Sequence, residues 1–485
     1  MKKILSCIVL VIILCTLSTM LFSCAQKGEQ AEKIQVYLSF CSGEKLLSKE
    51  TPLDYSPIDE IEGTEIVINP QKKYQDYYGC GGALTHSSAF LLMQESAEVR
   101  GEILQALFGK DGARLSLIRL PIGASDYIPQ SSFFTCCDTQ NPDIADESLS
   151  NFTLEKDGEI IALLKEILTI NPDIKILALP WSAPAWMKKS KSLLGGYLEE
   201  KYEGVFADYL IKFVEEYAKE GINISYLSLV NEPYVSGIQY PHMYMDGLQA
   251  SRITKTLGEK LEEKNLSVKI LGWDHNVNKA STFLSGLFSD TDAYDYLSGI
   301  AFHGYEGDYN TACALYSDSH SDKELFLTEI TEHSGSTNFG NNFAYALKHV
   351  TLAPINNGSS ASLFWNLVLT TDGQPTPVDH GTYCFGIIGL DEANPQSFQK
   401  SSAYYAMAHL SKFAYSIEGK SPEALRALCE TPNLLVCALL RGDGKIVIAI
   451  TNQGQGEEVV KINLGERAFA YDMPSQSVAT FLLPN

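Results

Sequence analysis

Between residues 75 and 400, eight apolar runs of strand length alternate with helix-length segments, and no other feature of this 485-residue chain constrains its fold as tightly. The runs are "YGCGGALT" (78–85), "LSLIRLPIG" (115–123), "IKILALPWSAP" (174–184), "ISYLSLVNEP" (224–233), "VKILGWDHN" (268–276), "LSGIAFHGY" (297–305), "LFLTEITE" (325–332) and "ASLFWNLVL" (361–369). Between them lie helical patterns such as "DGEIIALLKEILTI" (157–170), broken by "NPD", and "YEGVFADYLIKFVEEYAKEG" (202–221), stopped at Gly221. Near-continuous apolar strands alternating with amphipathic helices predict a parallel sheet, and eight of them predict a (β/α)8 TIM barrel. A doubly wound sheet is the alternative. It lacks support, because "GCGG" has neither the spacing nor the downstream acid of a dinucleotide-binding turn.

The rest of the chain reads differently. "LLVCALL", "GKIVIAI", "EEVVKINL" and "SVATFLLP" are short strands broken by "RGDG" and "NQGQG", which predicts an all-β module after about residue 405. "IQVYLSF" and "TEIVI", before residue 70, have no partner within the barrel. They are expected to join the C-terminal module, giving an α/β barrel (75–404) and a β-sandwich built from both chain ends (34–74 and 405–485).

At the N-terminus, Lys2 and Lys3 precede the apolar run Ile4 to Phe22, which closes at "LFSC". This resembles a bacterial lipoprotein signal (1–23), with Cys24 lipidated and 24–33 as a polar tether. An uncleaved membrane anchor is the alternative. Either way the body is expected outside the cytoplasm, in the cell envelope, held to the membrane by a lipid anchor only. The net charge of -22 argues against a nucleic-acid partner. The eight cysteines after Cys24 lack the close pairs and nearby histidines of a zinc site, so no metal or cofactor is expected, and disulfide pairing stays open.

A barrel gathers its chemistry at the C-terminal ends of its strands. Those ends supply Arg119, Asp126, Trp181, Asn231, Glu232, Asp274, His275, His303, Tyr305, Glu329 and Trp365. Strands four and seven lie nearly across the mouth, so Glu232 and Glu329 can face each other. Opposed carboxylates are the equipment for cleaving a glycosidic bond, one protonated to assist departure and one ionised to attack. Trp181 and Trp365 offer flat faces for a sugar ring, and Arg119 can keep a carboxylate charged. Asn231 is placed to hydrogen-bond a sugar 2-hydroxyl.

In order along the chain, "YGCGGALT", "IRLPIGASDY", "PWSAPAWMK", "NEP", "FHGY", "LTE", "FWNLVL" and "YYAMAHLSKF" make it similar to glycoside hydrolase family 30, which includes glucosylceramidases and endo-β-1,6-glucanases. The resemblance covers residue 35 to the C-terminus. It implies a retaining enzyme without a metal, acting on a β-glucoside or glucan substrate. It further implies Glu232 as acid/base and Glu329 as nucleophile. Arg119, Asp126, Trp181, Asn231 and Trp365 then line the subsite for the cleaved sugar, with His303 and Tyr305 near the nucleophile. His86 departs from the family pattern, which commonly has an acid there. The loop "DGQPTPVDH" (372–380) lacks the Asn-Trp of the glucosylceramidase branch, leaving ceramide and β-1,6-glucan both open. A non-catalytic glycan-binding lipoprotein on the same barrel is the alternative from another class.

Overall fold

The computed structural model describes residues 32–331, 338–380, 384–391 and 397–485. The predicted leader and the lipidation position Cys24 lie outside them.

Eight parallel strands close into a barrel: β1 (Gly79–Ala83), β2 (Leu117–Ile122), β3 (Lys175–Pro180), β4 (Tyr226–Ser228), β5 (Lys269–Asn276), β6 (Leu297–His303), β7 (Glu324–Ile330) and β8 (Ser359–Phe364). Each pairs with its sequence neighbours, and β8 returns to β1 through Ala361–Gly79 to Phe364–Gly82. The eight runs read from the sequence are these eight strands. Their inward side chains, including Leu117, Leu177, Leu179, Leu271, Phe326 and Leu363, fill the barrel and continue upward into Trp181 and Trp365 at the mouth. The interior is thus a packed core with an aromatic floor for whatever binds above it. A second, larger apolar layer lies between the strands and the surrounding helices, among them Gly158–Ile170 and Glu203–Lys219.

Two strands differ from the sequence reading. The apolar run before Glu232 is ladder-paired only over Tyr226–Ser228, although Leu229 and Val230 are buried. The run through Trp365 breaks in two: Ser359–Phe364 belongs to the barrel, while Asn366–Thr370 pairs with Gly386–Leu390 in a separate three-stranded sheet. Hydrophobicity marks burial, not which sheet does the burying.

The second domain is one nine-stranded sheet. It interleaves N-terminal strands (Gln35–Phe40, Ser48–Lys49, Thr64–Asp76) with six C-terminal strands between Glu423 and Leu483. Strand Gln35–Phe40 pairs along its full length with Ser477–Leu483, and Thr64–Asp76 lies between Glu423–Cys429 and Glu458–Asn463. The sheet folds over on itself. Phe469 and Tyr471, at one edge, meet the Phe481 ring from near the other edge, each at 5.2 Å. The result is a two-layer sandwich around Val36, Ile66, Val436, Ile448 and Ile462. The eight described cysteines are free thiols, six of them buried, which is the behaviour of small apolar side chains.

Candidate active site

The polar residues at the strand ends converge on one buried network above the Trp floor. Trp181 and Trp365 stack at 5.3 Å with 26° between their planes. The Arg119 guanidinium lies over them, 5.0 and 5.5 Å from the ring centres. Arg119 lies within β2 with no exposure to solvent, and its donors fan across the mouth. Nη1 donates to Glu329 Oε2, and Nη2 donates to Asn231 Oδ1 at 2.6 Å and Asp274 Oδ1 at 3.3 Å. Burial alone would pull the guanidinium pKa down, but Asp274 and Glu329 together hold it above its ordinary value. Arg119 therefore stays charged and ties β2, β4, β5 and β7 together.

Backbone geometry aims these groups. Glu232 adopts φ +48°, and Trp273 and Asp274 adopt +77° and +64°. Three non-glycine residues in the left-handed region at one strand-end cluster is strain held by surrounding contacts. One such contact is direct: the Glu232 N–H donates to the Asp274 carbonyl at 3.0 Å. The β5–β6 register also slips between Trp273 and His275. That irregularity sends Asp274 to the barrel interior and leaves His275 at the mouth.

Two carboxylates flank one imidazole. His303 Nδ1 is 3.0 Å from Glu232 Oε1 and 3.9 Å from Glu329 Oε1. The two carboxylate oxygens are therefore no more than about 7 Å apart, close enough for both to reach one glycosidic bond. Glu329 also accepts from the Tyr305 hydroxyl at 2.9 Å. The opposite face of His303 is fixed by Asp274, whose Oδ1 lies 3.0 Å from Nε2 and accepts from Thr328 Oγ1 at 2.6 Å.

The charges follow from these contacts. Burial would lower the His303 pKa, but Glu329, Asp274 and Glu232 raise it to about 9. Burial would raise Glu232, but the His275 and His303 rings, 3.4 and 3.0 Å from its Oε1, outweigh it and hold the carboxyl well below the usual range. Asp274, despite burial, is held down to about 2 by Arg119, His303 and Thr328. Asp126 goes the other way. Burial first, then the Glu329 charge, push it well above the carboxylate range, and His380 Nε2 stands 3.2 Å from its Oδ2.

All seven predicted sugar-subsite and neighbouring residues (Arg119, Asp126, Trp181, Asn231, His303, Tyr305, Trp365) line this mouth together with Glu232 and Glu329. Sequence reasoning left out the work of Asp274 and Thr328. It also missed His380, which lies parallel to Tyr127 at 5.5 Å. A signal for Asp274 existed in "WDHN", but its spacing says nothing of a backbone irregularity. His86 is elsewhere, paired with Asp157 at 3.0 Å under the first helix.

Two family profiles match the chain: the glycosyl hydrolase family 30 TIM-barrel domain over residues 77–414, and the family 30 beta sandwich domain over 426–481. The chain belongs to glycosyl hydrolase family 30. As a family 30 member it is a retaining β-glycoside hydrolase. Among its relatives is the endo-1,6-beta-D-glucanase neg1 of Aspergillus fumigatus, 29% identical over 435 residues, covering 85% of this chain and 86% of the relative. The lysosomal acid glucosylceramidase of Mus musculus is 28% identical over 446 residues, covering 87% and 83%. Among solved structures, the endo-beta1,6-glucanase BT3312 superposes with a TM-score of 0.84 at 28% identity, covering 93% of this chain and 99% of that one. The family 30 frame accounts for the sandwich as well as the barrel.

Proposed function

We propose that this family 30 hydrolase cleaves β-glucosidic bonds in a glucan, with Glu329 as nucleophile and Glu232 as acid/base. The observation that carries the assignment is the shared imidazole: both carboxylates converge on His303 Nδ1, while only Glu329 is also paired with the Arg119 guanidinium. Glu329 is the group held ready to attack. Its Oε bonds to the anomeric carbon as the bond to the leaving oxygen breaks, and Glu232 gives that oxygen a proton. In the second half Glu232 takes a proton from water, which displaces Glu329 from the sugar.

A general acid must carry a proton, yet the rings beside Glu232 hold its carboxyl well below the usual range. The His303 imidazolium resolves this. Its proton can pass along the 3.0 Å hydrogen bond to Glu232 as the leaving oxygen arrives, leaving His303 neutral and consuming none from solvent. Returning to the ionised form suits Glu232 for its second task as base.

For the aglycone, the loop over Asp126 supports a sugar rather than a lipid. The adjoining cavity of about 530 Å³ is lined by Asp372, Gln374, Thr376, Asp379 and His380 beside Tyr127, with Pro377, Val378 and Cys384 as its apolar part, so donors and acceptors predominate. The glucanase relatives are named for β-1,6-glucan and the mammalian one for glucosylceramide. Side-by-side product analysis on both substrates tests the choice: release from β-1,6-glucan is expected to dominate, and preferential release of glucose from glucosylceramide would overturn it.

For the residue roles, Glu329→Gln is expected to lower turnover of an aryl β-glucoside by about 10³-fold or more. Glu232→Ala should spare the first step with a good leaving group and regain the second with azide, giving a β-glycosyl azide. Normal turnover by Glu329→Gln would sink the assignment. We further propose an envelope location through lipid on Cys24, supported by Lys2, Lys3 and the apolar run to Phe22. Cys24→Ala should lose incorporation of labelled fatty acid, and unchanged labelling would refute the anchor.

A further inference from the structure

We infer that Glu232, His275 and His303 form a binding site for one divalent transition-metal ion of the zinc class, and that filling it stops hydrolysis. The second half rests on Glu232 as the acid; the first does not. One ligand atom from each of the three lies within 4.8 Å of the other two, and all three side chains are buried. Two of the separations are 3.0 and 3.4 Å. Bonds of about 2.0–2.2 Å at a tetrahedral centre place neighbouring ligand atoms about 3.3–3.6 Å apart, so the two contacts to Glu232 already stand near ligand spacing.

His275 supplies the independent observation. It is 3% exposed, and neither ring nitrogen makes a well-formed hydrogen bond among the described residues. Its Nδ1 is the atom facing Glu232 Oε1. An imidazole buried with no well-formed hydrogen bond and only one long contact to a carboxylate is costly unless something engages it. His303 is already mounted as a ligand would be. Asp274 holds its Nε2 at 3.0 Å, which leaves Nδ1 turned toward Glu232. A carboxylate behind a ligating histidine is the usual way such a ring is oriented. Glu329 Oε1, 3.9 Å from the same Nδ1, is near enough to add a fourth ligand. Two imidazoles with carboxylate favour zinc, copper or nickel over magnesium or calcium. On binding, the proton shared by His303 and Glu232 leaves to solvent, and the ligated Glu232 carboxylate can no longer protonate a leaving oxygen.

The test uses untagged enzyme freed of metal by EDTA and dialysis, titrated with Zn²⁺ by calorimetry and, in parallel, by hydrolysis of an aryl β-glucoside. The expected result is one ion per chain, inhibition that follows occupancy and is reversed by EDTA, and no effect of Mg²⁺ at the same concentration. His275→Asn should weaken zinc binding at least about 10-fold, while His320→Asn, remote from the site, should not. His275→Gln serves as a second variant, and anomalous scattering at the zinc edge locates the ion in the wild type without any substitution. No binding, or binding undiminished in both His275 variants, overturns the inference and leaves Glu232's role as proposed. Full occupancy with undiminished hydrolysis supports the site but overturns both the switch and Glu232 as the acid.

Discussion

His303 sits at the centre of the site, in reach of both proposed catalytic carboxylates and of Asp274. Its raised pKa, to about 9, comes from Glu329, Asp274 and Glu232 outweighing burial. Because the folded value lies above the ordinary 6.5, the stability it contributes is fully present below about pH 6.5 and is lost as pH rises through about 9. In the proposed mechanism the same proton serves the chemistry, so the alkaline limb of kcat/KM is expected near pH 9 and belongs to the Glu232–His303 pair rather than to either residue. In His303→Asn the remaining acid is a carboxyl, and the limb should move to lower pH. An alkaline limb that stays in place would show that His303 does not hold the acid's proton. At this scale the sequence was informative about identity and silent about connection. Glu232, Glu329 and Arg119 could be picked out from strand ends. Nothing in "FHGY" says that one ring would touch carboxylates from β4, β5 and β7, because those contacts are set by barrel closure.

The elements were legible where pattern and packing agree. Eight apolar runs became eight strands because buried parallel strands need apolar residues on both faces. The misreadings lie at β4 and β8, where the chain leaves the ladder to build the site. Glu232 turns into the left-handed region just after β4, and Trp365 turns at the end of β8, its N–H donating to the Ile330 carbonyl at 2.9 Å. Local sequence rules fail at such places because tertiary contacts hold the exceptional backbone. At the opposite extreme is β1, whose "GCGG" looks like a flexible turn. It is a strand because it must lie close to β2: a Cβ on Gly81 would come 2.0 Å from the Leu117 carbonyl oxygen. Gly81→Ala is therefore expected to destabilise the barrel by about 3 kcal/mol or more, at the upper end of overpacking costs. Denaturant unfolding would show this as a lowered midpoint with unchanged m, and a wild-type midpoint would mean that β1 can move away from β2 freely.

The two domains are tied into one molecule at His409, on the helix Ser402–Ser411 between barrel and sandwich. The sequence showed that the N-terminal strands lacked a partner in the barrel, but the strand order, and hence this seam, depends on pairings over more than 400 residues. His409 Nε2 is 2.7 Å from Ser39 Oγ on the N-terminal strand, and Nδ1 is 2.9 Å from Thr480 Oγ1 on the C-terminal one. The tautomer follows from the partners. The Thr480 hydroxyl donates to the His409 carbonyl at 2.6 Å, so it accepts from Nδ1–H. Ser39 Oγ accepts from the Leu47 N–H at 2.7 Å, leaving its own proton for Nε2. The ring is thus satisfied only when neutral, and burial lowers its pKa to about 3. Here the folded value lies below the ordinary 6.5, so the unfolded chain binds the extra proton first. Stability from His409 is whole above about pH 6.5 and drains as pH falls toward about 3, at about 1.4 kcal/mol per pH unit. By pH 5 the loss reaches about 2 kcal/mol. His409→Asn removes the titrating group, so the difference in unfolding free energy between wild type and variant should shrink by that amount between pH 7 and pH 5. A difference that stays constant over that range would place the acid sensitivity of the molecule elsewhere than at this seam.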